Sequence, residues 1–138
     1  MIAVDAGFLY ALVDGDDAWH ERAVAAAPTV EEGWVTTWPV LTEACQLMLR
    51  WLGPDFACAL MDDVSAGGLV VWEPTAAEVG RIPALMRRYA ALPMDLADAT
   101  LVLLAEHLEH GRILSTDQRD FAAYRWKSRR PFHNLLEA

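Results

Sequence analysis

The sequence predicts an α/β fold in which a mostly parallel sheet is covered by helices on both faces. Short runs of apolar and β-branched residues alternate along the chain with longer helix-like segments, which is the order expected of βαβ units. The 138 residues, of which 54% are hydrophobic, are enough for a buried core, and no repeat or linker divides them. We therefore expect one domain over residues 1–138.

The first half of the chain is predicted to hold two strands and four helical segments. MIAV (1–4) is a short apolar run suited to a buried strand. GFLYALVD and DDAWHERAVAAA have helical composition and are separated by DGDD. EGWVTTW (32–38) is rich in β-branched and aromatic residues, as strands are. Helices follow at 39–53, with proline in the first turn and a glycine stop, and at 55–67, which ends at a glycine pair.

The second half continues the alternation. GLVVWEP (68–74) is the third predicted strand. TAAEVGRIPALMRRYA (75–90) is predicted to be helical, with Pro83 either kinking it or dividing it in two. A long helix begins within PMDLADATLVLLAE and runs to Gly111. RILSTD (112–117) is the fourth strand, DFAAY a short helical turn and PFHNL a final edge strand.

Composition and charge exclude several classes of protein. No apolar stretch approaches the ~20 residues that span a bilayer, and no basic leader precedes the apolar N-terminus, so we expect a cytoplasmic protein. Cys45 and Cys58 lie in apolar helix-like runs and are interpreted as reduced core thiols. The net charge of −9 argues against binding nucleic acid through the overall field. It leaves open an enzyme whose carboxylates hold a metal ion.

Four carboxylates are predicted to meet at one edge of the sheet. Asp5 ends the first strand and Asp117 ends the fourth. Glu43 lies in the second turn of the helix after strand two, and Asp98 in the first turn of the long helix. In βαβ units these helices begin at the edge where the strands end, which is also where ligands bind. Carboxylates so close would repel one another, and Mg²⁺ would remove that penalty.

Two aspartate pairs present a choice between capping a helix and facing the site. Asp95 stands where an N-cap belongs, whereas Asp98 could complete a capping-box-like arrangement or point at the site. We assign the cap to Asp95 and the site to Asp98. Asp117 is nearer the strand end than Asp120, so we assign Asp117 to the site and a supporting role to Asp120.

In chain order, VDAGFLYALVD, TEACQLM, MDLADATLVLLAE and STDQRDF resemble the four acidic motifs of PIN-domain ribonucleases, and the VapC-like toxins of type II toxin–antitoxin systems in particular. The resemblance covers residues 2–125 or so. It implies a three-layer α/β/α sandwich with a central, mostly parallel sheet of four to five strands. It also implies RNA cleavage dependent on Mg²⁺ or Mn²⁺, a homodimer and a cognate antitoxin. The matching positions of the catalytic metal ligands are Asp5, Glu43, Asp98 and Asp117.

One motif departs from the family pattern. The first acidic residue is usually followed by hydroxyl or amide side chains that help to order the metal site, whereas Ala6 and Gly7 stand here. The departure puts metal affinity and catalytic rate in doubt more than the fold. Thr116 matches the small hydroxyl residue that the family has at the end of the fourth strand.

The mechanism that follows is hydrolysis of an RNA phosphodiester by a metal-activated water. Because the net charge is negative, RNA must be held locally, and the basic strip with Arg125, Arg129 and Arg130 offers phosphate contacts. Trp19, Trp38 and Trp126 are candidates for base stacking, although tryptophans are more typical of cores and dimer interfaces.

Two other functions compete with this hypothesis. A receiver-like phosphoryl-transfer domain also has aspartates at a strand end, but it needs a lysine at a later strand end, and Lys127 is the only lysine of the chain. A catalytically weakened or inactive interaction domain is the second alternative, and Ala6 and Gly7 are its best support.

Overall fold

The computed structural model describes residues 1–136 and contains a five-stranded sheet and a two-stranded hairpin. In chain order the strands are β1 (Ile2–Val4), β2 (Trp34–Thr36), β3 (Leu69–Val71), β4 (Arg112–Leu114), β5 (Arg125–Trp126), β6 (Arg130–Pro131) and β7 (His133–Asn134). The order across the sheet is β3-β2-β1-β4-β7, and every neighbouring pair is parallel. The antiparallel hairpin joins β5 to β6.

Eight α-helices connect these strands in the described part of the chain. They are α1 (Ala6–Val13), α2 (His20–Ala26), α3 (Trp38–Trp51), α4 (Pro54–Ala66), α5 (Ala76–Val79), α6 (Ile82–Arg88), α7 (Leu96–Leu108) and α8 (Gln118–Ala123). A 3₁₀ turn, Ala27–Thr29, follows α2. Within residues 1–136, no helix combines the length and the apolar character needed to cross a bilayer.

The core is centred on β1 and α7. All three residues of β1 are buried, which is the pattern of a strand covered on both faces. Every residue of α7 between Ala99 and Ala105 is buried, and the helix packs against β1, α3 and α6. The predicted α/β/α class with a parallel sheet of four to five strands is confirmed.

The strand order has a switch point beside β1. From β1 the chain proceeds to β2 and β3 on one side, and it then crosses to β4 on the other side of β1. In open parallel sheets, ligands bind in the crevice outside the carboxyl ends of the strands at such a point. Asp5 follows β1, and Asp117 lies three residues beyond β4.

Local differences from the predicted elements have local causes. The segment 75–90 is divided in two, because α5 ends before Gly80 and α6 begins anew with Pro83 in its first turn. The β5–β6 hairpin was not predicted. Its turn needs positive φ at Lys127 and Ser128, and neither residue type signals that conformation.

The structure overturns one prediction about burial and decides one open alternative. Both cysteines are free, but Cys58 is exposed and is therefore not a core thiol, whereas Cys45 is partly buried and packs against the core. Trp126, a candidate for base stacking with the core as the alternative, is only 5% exposed, and its indole nitrogen donates a hydrogen bond to the carbonyl of Pro131 (3.0 Å). Trp126 is therefore unavailable for stacking.

Candidate metal centre

A cleft of about 220 Å³ opens at the carboxyl ends of β1 and β4. All four predicted catalytic carboxylates and the three predicted supporting residues line it: Asp5, Glu43, Asp95, Asp98, Thr116, Asp117 and Asp120. Residues from both ends of the sequence are thus brought to one site by the sheet topology.

Asp5 is the most deeply buried carboxylate of the cleft, at 7% exposed. It is the N-cap of α1, and its Oδ1 accepts a hydrogen bond from the Phe8 backbone N–H (2.8 Å). Its Oδ2 accepts a short hydrogen bond from the Ser115 hydroxyl. Burial raises the pKa of Asp5 to about 6, although both hydrogen bonds favour the ionised form. The carboxylate is therefore fixed in position but costly to ionise.

Ser115 connects the ends of β1 and β4. Its buried Oγ donates to Asp5 and accepts from the Asp117 backbone N–H (2.9 Å). The Asn134 side chain on β7 binds both backbone groups of Ser115, accepting from the N–H (3.2 Å) and donating to the carbonyl (2.9 Å). The edge strand thus fixes the hydroxyl that binds Asp5. The sequence analysis assigned a supporting role to Thr116 and none to Ser115, although both hydroxyl residues directly precede Asp117.

Asp95 caps α7, as predicted, whereas Asp98 lines the cleft. Asp95 is the N-cap of α7, and its Oδ1 accepts from the Asp98 N–H (2.8 Å). The Asp98 carboxylate is left to the cleft, where its Oδ2 accepts a hydrogen bond from the Tyr124 hydroxyl (2.7 Å). Burial raises the pKa of Asp98 to about 7, against the effect of this hydrogen bond. The sequence analysis did not identify Tyr124 as a partner of Asp98, because no local pattern relates the two residues. Tyr124 lies at the C-terminal end of α8.

Asp98, Asp117 and Asp120 form the tightest group of carboxylates. Each offers an oxygen, and these oxygens lie within 4.8 Å of one another. Asp117 caps α8 by accepting from the Asp120 N–H (3.1 Å). Burial, followed by its interaction with Asp117, raises the pKa of Asp120 to about 6. Asp120, predicted as a supporting residue, therefore lies among the possible ligands.

Glu43 lies on α3 at the border of the cleft. Partial burial of its carboxyl group raises its pKa, and the charges of Asp95 and Asp117 add to the effect. Glu43 thus experiences the same crowding of negative charge as the aspartates.

Gly7 and Thr116 fit closely together in the cleft. A Cβ at position 7 would collide with Thr116 Oγ1. The polar side chain that the family pattern has after the first aspartate is absent, but the Thr116 hydroxyl from the β4 side occupies the adjoining space. The segment after the neighbouring strand β4 thus places two hydroxyl groups, those of Ser115 and Thr116, next to Asp5 and Gly7.

The donor set of the cleft fits a hard divalent cation. All candidate ligand atoms are carboxylate oxygens, which Mg²⁺ and Mn²⁺ prefer. The pKa values of Asp5, Asp98 and Asp120 are all raised, so ionising the cluster without a counter-charge is unfavourable. A divalent cation would offset that cost.

The predicted RNA-binding arginines are not among the residues that line the cleft. One Arg125 guanidinium nitrogen donates to the carbonyls of Ala122 and Tyr124, at the C-terminal end of α8. Arg129 and Arg130 belong to the β5–β6 hairpin, which contacts α7 where the Lys127 N–H donates to Glu106 (2.7 Å). Glu106 is eight residues beyond Asp98, roughly 12 Å along the helix. The hairpin therefore contacts α7 about two turns beyond Asp98.

Comparison with known proteins gives relatives in sequence and in structure. No model of a known protein family matches the chain. It is 25% identical over 122 residues to ribonuclease VapC26 of Mycobacterium tuberculosis (strain ATCC 25618 / H37Rv), which covers 88% of this chain and 90% of that protein. The crystal structure of VapC20 from Mycobacterium tuberculosis, described as a sarcin–ricin loop cleaving toxin, matches with a TM-score of 0.81.

The structural match is 23% identical in sequence and covers 89% of this chain and 95% of that structure. It shows a shared fold. With the sequence similarity to VapC26 over nearly the whole chain, it confirms the resemblance predicted from the four acidic segments.

Proposed function

We propose that this chain, a VapC-like protein with the PIN fold, is a metal-dependent endoribonuclease that hydrolyses RNA phosphodiester bonds as the toxin of a toxin–antitoxin pair. The observation that carries the proposal is the group of Asp98, Asp117 and Asp120 oxygens within 4.8 Å of one another. It lies at the switch point of a sheet shared with a ribonuclease toxin.

Mg²⁺ or Mn²⁺ is the cofactor in this proposal. Asp98, Asp117 and Asp120 would hold it directly, while Asp5 and Glu43 would bind it directly or through water. When bound, the ion supplies Lewis-acid chemistry, lowering the pKa of a water and offsetting negative charge on the phosphate.

The chain's own contribution is to hold the carboxylates in place before the substrate arrives. The Ser115 hydroxyl orients Asp5, and the Tyr124 hydroxyl orients Asp98. Asp117 is restrained because its N–H and its carboxylate are both hydrogen-bonded, to Ser115 and to the Asp120 N–H. A site fixed in this way loses little entropy on binding, which favours catalysis.

A catalytically weakened interaction domain is the second candidate. Ala6 and Gly7 favour it, because they carry no hydroxyl or amide beside Asp5. The Thr116 hydroxyl, which lines the cleft, and the buried Ser115 hydroxyl, which donates to Asp5, favour an active enzyme instead. Metal-dependent cleavage decides between them.

RNA, an antitoxin and a second copy of the chain are the proposed partners, in the cytoplasm. An acidic cleft favours an antitoxin segment that inserts a basic side chain among the carboxylates. A single nuclease domain over residues 1–138 and phosphate contacts from Arg125, Arg129 and Arg130 belong to the same proposal.

Cleavage of a pool of single-stranded RNA oligonucleotides, with Mg²⁺, Mn²⁺ or a chelator, tests the function. We expect cleavage by the wild-type chain only with metal. Asp5→Asn and Asp98→Asn should each lower the rate by roughly a hundredfold or more, since each removes a charge from the metal centre. Asp62→Asn, on the exposed side of α4, is the matched control and should leave the rate unchanged. Equal cleavage by all variants without metal would exclude the mechanism.

A further inference from the structure

A second groove, of about 470 Å³, adjoins the metal centre. It lies between one side of α3 and the start of α7, and it is lined by Trp38, Pro39, Thr42, Glu43, Gln46, Asp95, Leu96 and Ala97. Glu43, Asp95 and Ala97 also line the metal cleft. The two spaces are therefore adjacent, and a polymer that places a phosphate in the metal cleft has the groove beside it.

The chemistry of the groove suits an uncharged flat group. Trp38, Pro39, Leu96 and Ala97 supply apolar surface, and the two carboxylates lie on the side shared with the metal cleft. No basic side chain among residues 1–136 lines the groove, so a phosphate would find no counter-charge there. A nucleobase, with an apolar face and a polar edge, matches this lining.

Trp38 is held in place although it is 45% exposed. Its indole nitrogen donates a hydrogen bond to Glu73 Oε1 (2.8 Å), which joins the start of α3 to the segment after β3. An exposed aromatic ring that is already oriented loses little entropy when a base stacks on it, and stacking tolerates any base. Further along the groove, Gln46 offers an amide that can both donate to and accept from a base edge.

We propose that this groove binds the nucleobase next to the scissile phosphate, stacked on Trp38, with Gln46 contacting the edge of the base. This inference rests on the proposed ribonuclease function and adds a base-binding subsite to it. The subsite accounts for how an acidic protein holds RNA, because stacking replaces part of the attraction that basic residues usually supply.

RNA binding tests the subsite independently of cleavage. The probes are a fluorescent pool of random-sequence RNA octamers and an octamer of the same backbone without bases, measured by anisotropy with Ca²⁺ in place of Mg²⁺. Trp38→Ala should weaken binding of the pool by roughly tenfold, as expected for one lost stacking contact, and leave binding of the abasic octamer unchanged. Trp38→Phe keeps a ring and should retain most of the affinity.

Trp51→Ala is the matched control, because Trp51 is 62% exposed and lies at the other end of α3. It should bind both probes as the wild type does. Three results would overturn the subsite. Trp38→Ala could weaken binding of both probes equally, it could weaken binding of neither, or the wild type could fail to bind RNA. A change in sedimentation mass without a change in base dependence would assign Trp38 to an interface between copies, and would also overturn it.

Cleavage separates failure of the subsite from failure of the function. Absence of metal-dependent cleavage by the wild type contradicts the ribonuclease proposal itself. If the wild type cleaves, sequencing the cut ends should reveal a base preference beside the cut that Gln46→Ala alters and Trp51→Ala does not. If all variants cleave with the same base preference, the ribonuclease function is supported and the subsite is contradicted.

Discussion

Two hydroxyl groups hold the most buried carboxylates of the metal centre. Ser115 donates to Asp5 and Tyr124 donates to Asp98, yet burial prevails and raises the two pKa values to about 6 and about 7. Because these folded-state values lie above that of an unfolded aspartate, the two groups stabilise the metal-free protein fully below about pH 4. That contribution is lost as the pH rises through 6 and 7.

Removing the Tyr124 hydroxyl should destabilise the protein in a pH-dependent way. In Tyr124→Phe the ionised Asp98 loses its donor at pH 8, a bond to a charged group worth about 1.5–3 kcal/mol. At pH 5 Asp98 is protonated, and the lost bond is a neutral one worth about 1 kcal/mol. Urea unfolding in chelator at the two pH values should therefore show a larger deficit at pH 8.

Tyr89→Phe is the matched control for this prediction. Tyr89 packs edge-on against Tyr124, and its hydroxyl accepts a hydrogen bond from the Arg125 backbone N–H (2.9 Å). That bond involves no carboxyl group, so its loss should cost the same at both pH values. An equal deficit at both pH values in Tyr124→Phe would contradict the assigned role.

Residue roles could be predicted where they depend on local spacing. The division between Asp95 and Asp98 follows from the position of a helix start, which the sequence carries. Ser115 and Tyr124 contact Asp5 and Asp98 across long sequence separations, and such contacts depend on tertiary packing. Single-sequence patterns could not identify these two partners.

Three helices begin at the metal centre with an aspartate as N-cap. Asp5, Asp95 and Asp117 cap α1, α7 and α8, and each accepts a hydrogen bond from the backbone N–H three residues ahead. The free N–H groups of a helix start carry partial positive charge, which partly offsets the carboxylates. Capping and assembly of the site therefore use the same residues.

Replacing Asp95 should separate its capping role from its charge. Asp95→Ala removes the acceptor at the start of α7 and should cost about 1 kcal/mol in free energy of unfolding, whereas Asp95→Asn keeps an acceptor and should cost a few tenths at most. Chemical denaturation in chelator measures both. If the two variants lose the same amount, the cap is not what Asp95 contributes.

Helices and strands could be predicted where helix-breaking residues or periodic patterns of apolar residues mark them. Pro39 and Gly53 correctly bounded α3, whereas Pro83 left the choice between a kink and a division open until the structure showed two helices. The strands are three residues long or shorter, and the predicted runs around them were too long because flanking apolar residues carry the same signal. The β5–β6 hairpin has no glycine turn, so its signal was missing.

At the scale of the molecule, the order of the strands creates the site. Alternating elements were sufficient to predict a parallel sheet and the convergence of carboxylates at one edge. The order β3-β2-β1-β4-β7 itself depends on packing that single-sequence patterns do not specify. The position of the basic hairpin beside the far part of α7, and the groove next to the metal cleft, follow from that packing as well.

The net charge of −9 is unevenly distributed over the protein. Part of it is concentrated at the cleft, and this charge is complementary to the cation and to the basic antitoxin segment of the proposed function. In the proposed function, RNA is held by the metal centre, by a base stacked on Trp38 and by the arginines of the hairpin, so an overall positive field is unnecessary.

Calorimetric titration of the chelator-treated protein with Mn²⁺ at pH 7.5 tests the metal centre most directly. We predict saturable Mn²⁺ binding to the wild type and to Asp62→Asn. The affinity should be at least tenfold weaker in Asp98→Asn and in Asp120→Asn. No saturable binding, or equal affinity in all four proteins, would contradict the claim that these dispersed carboxylates form one cation site.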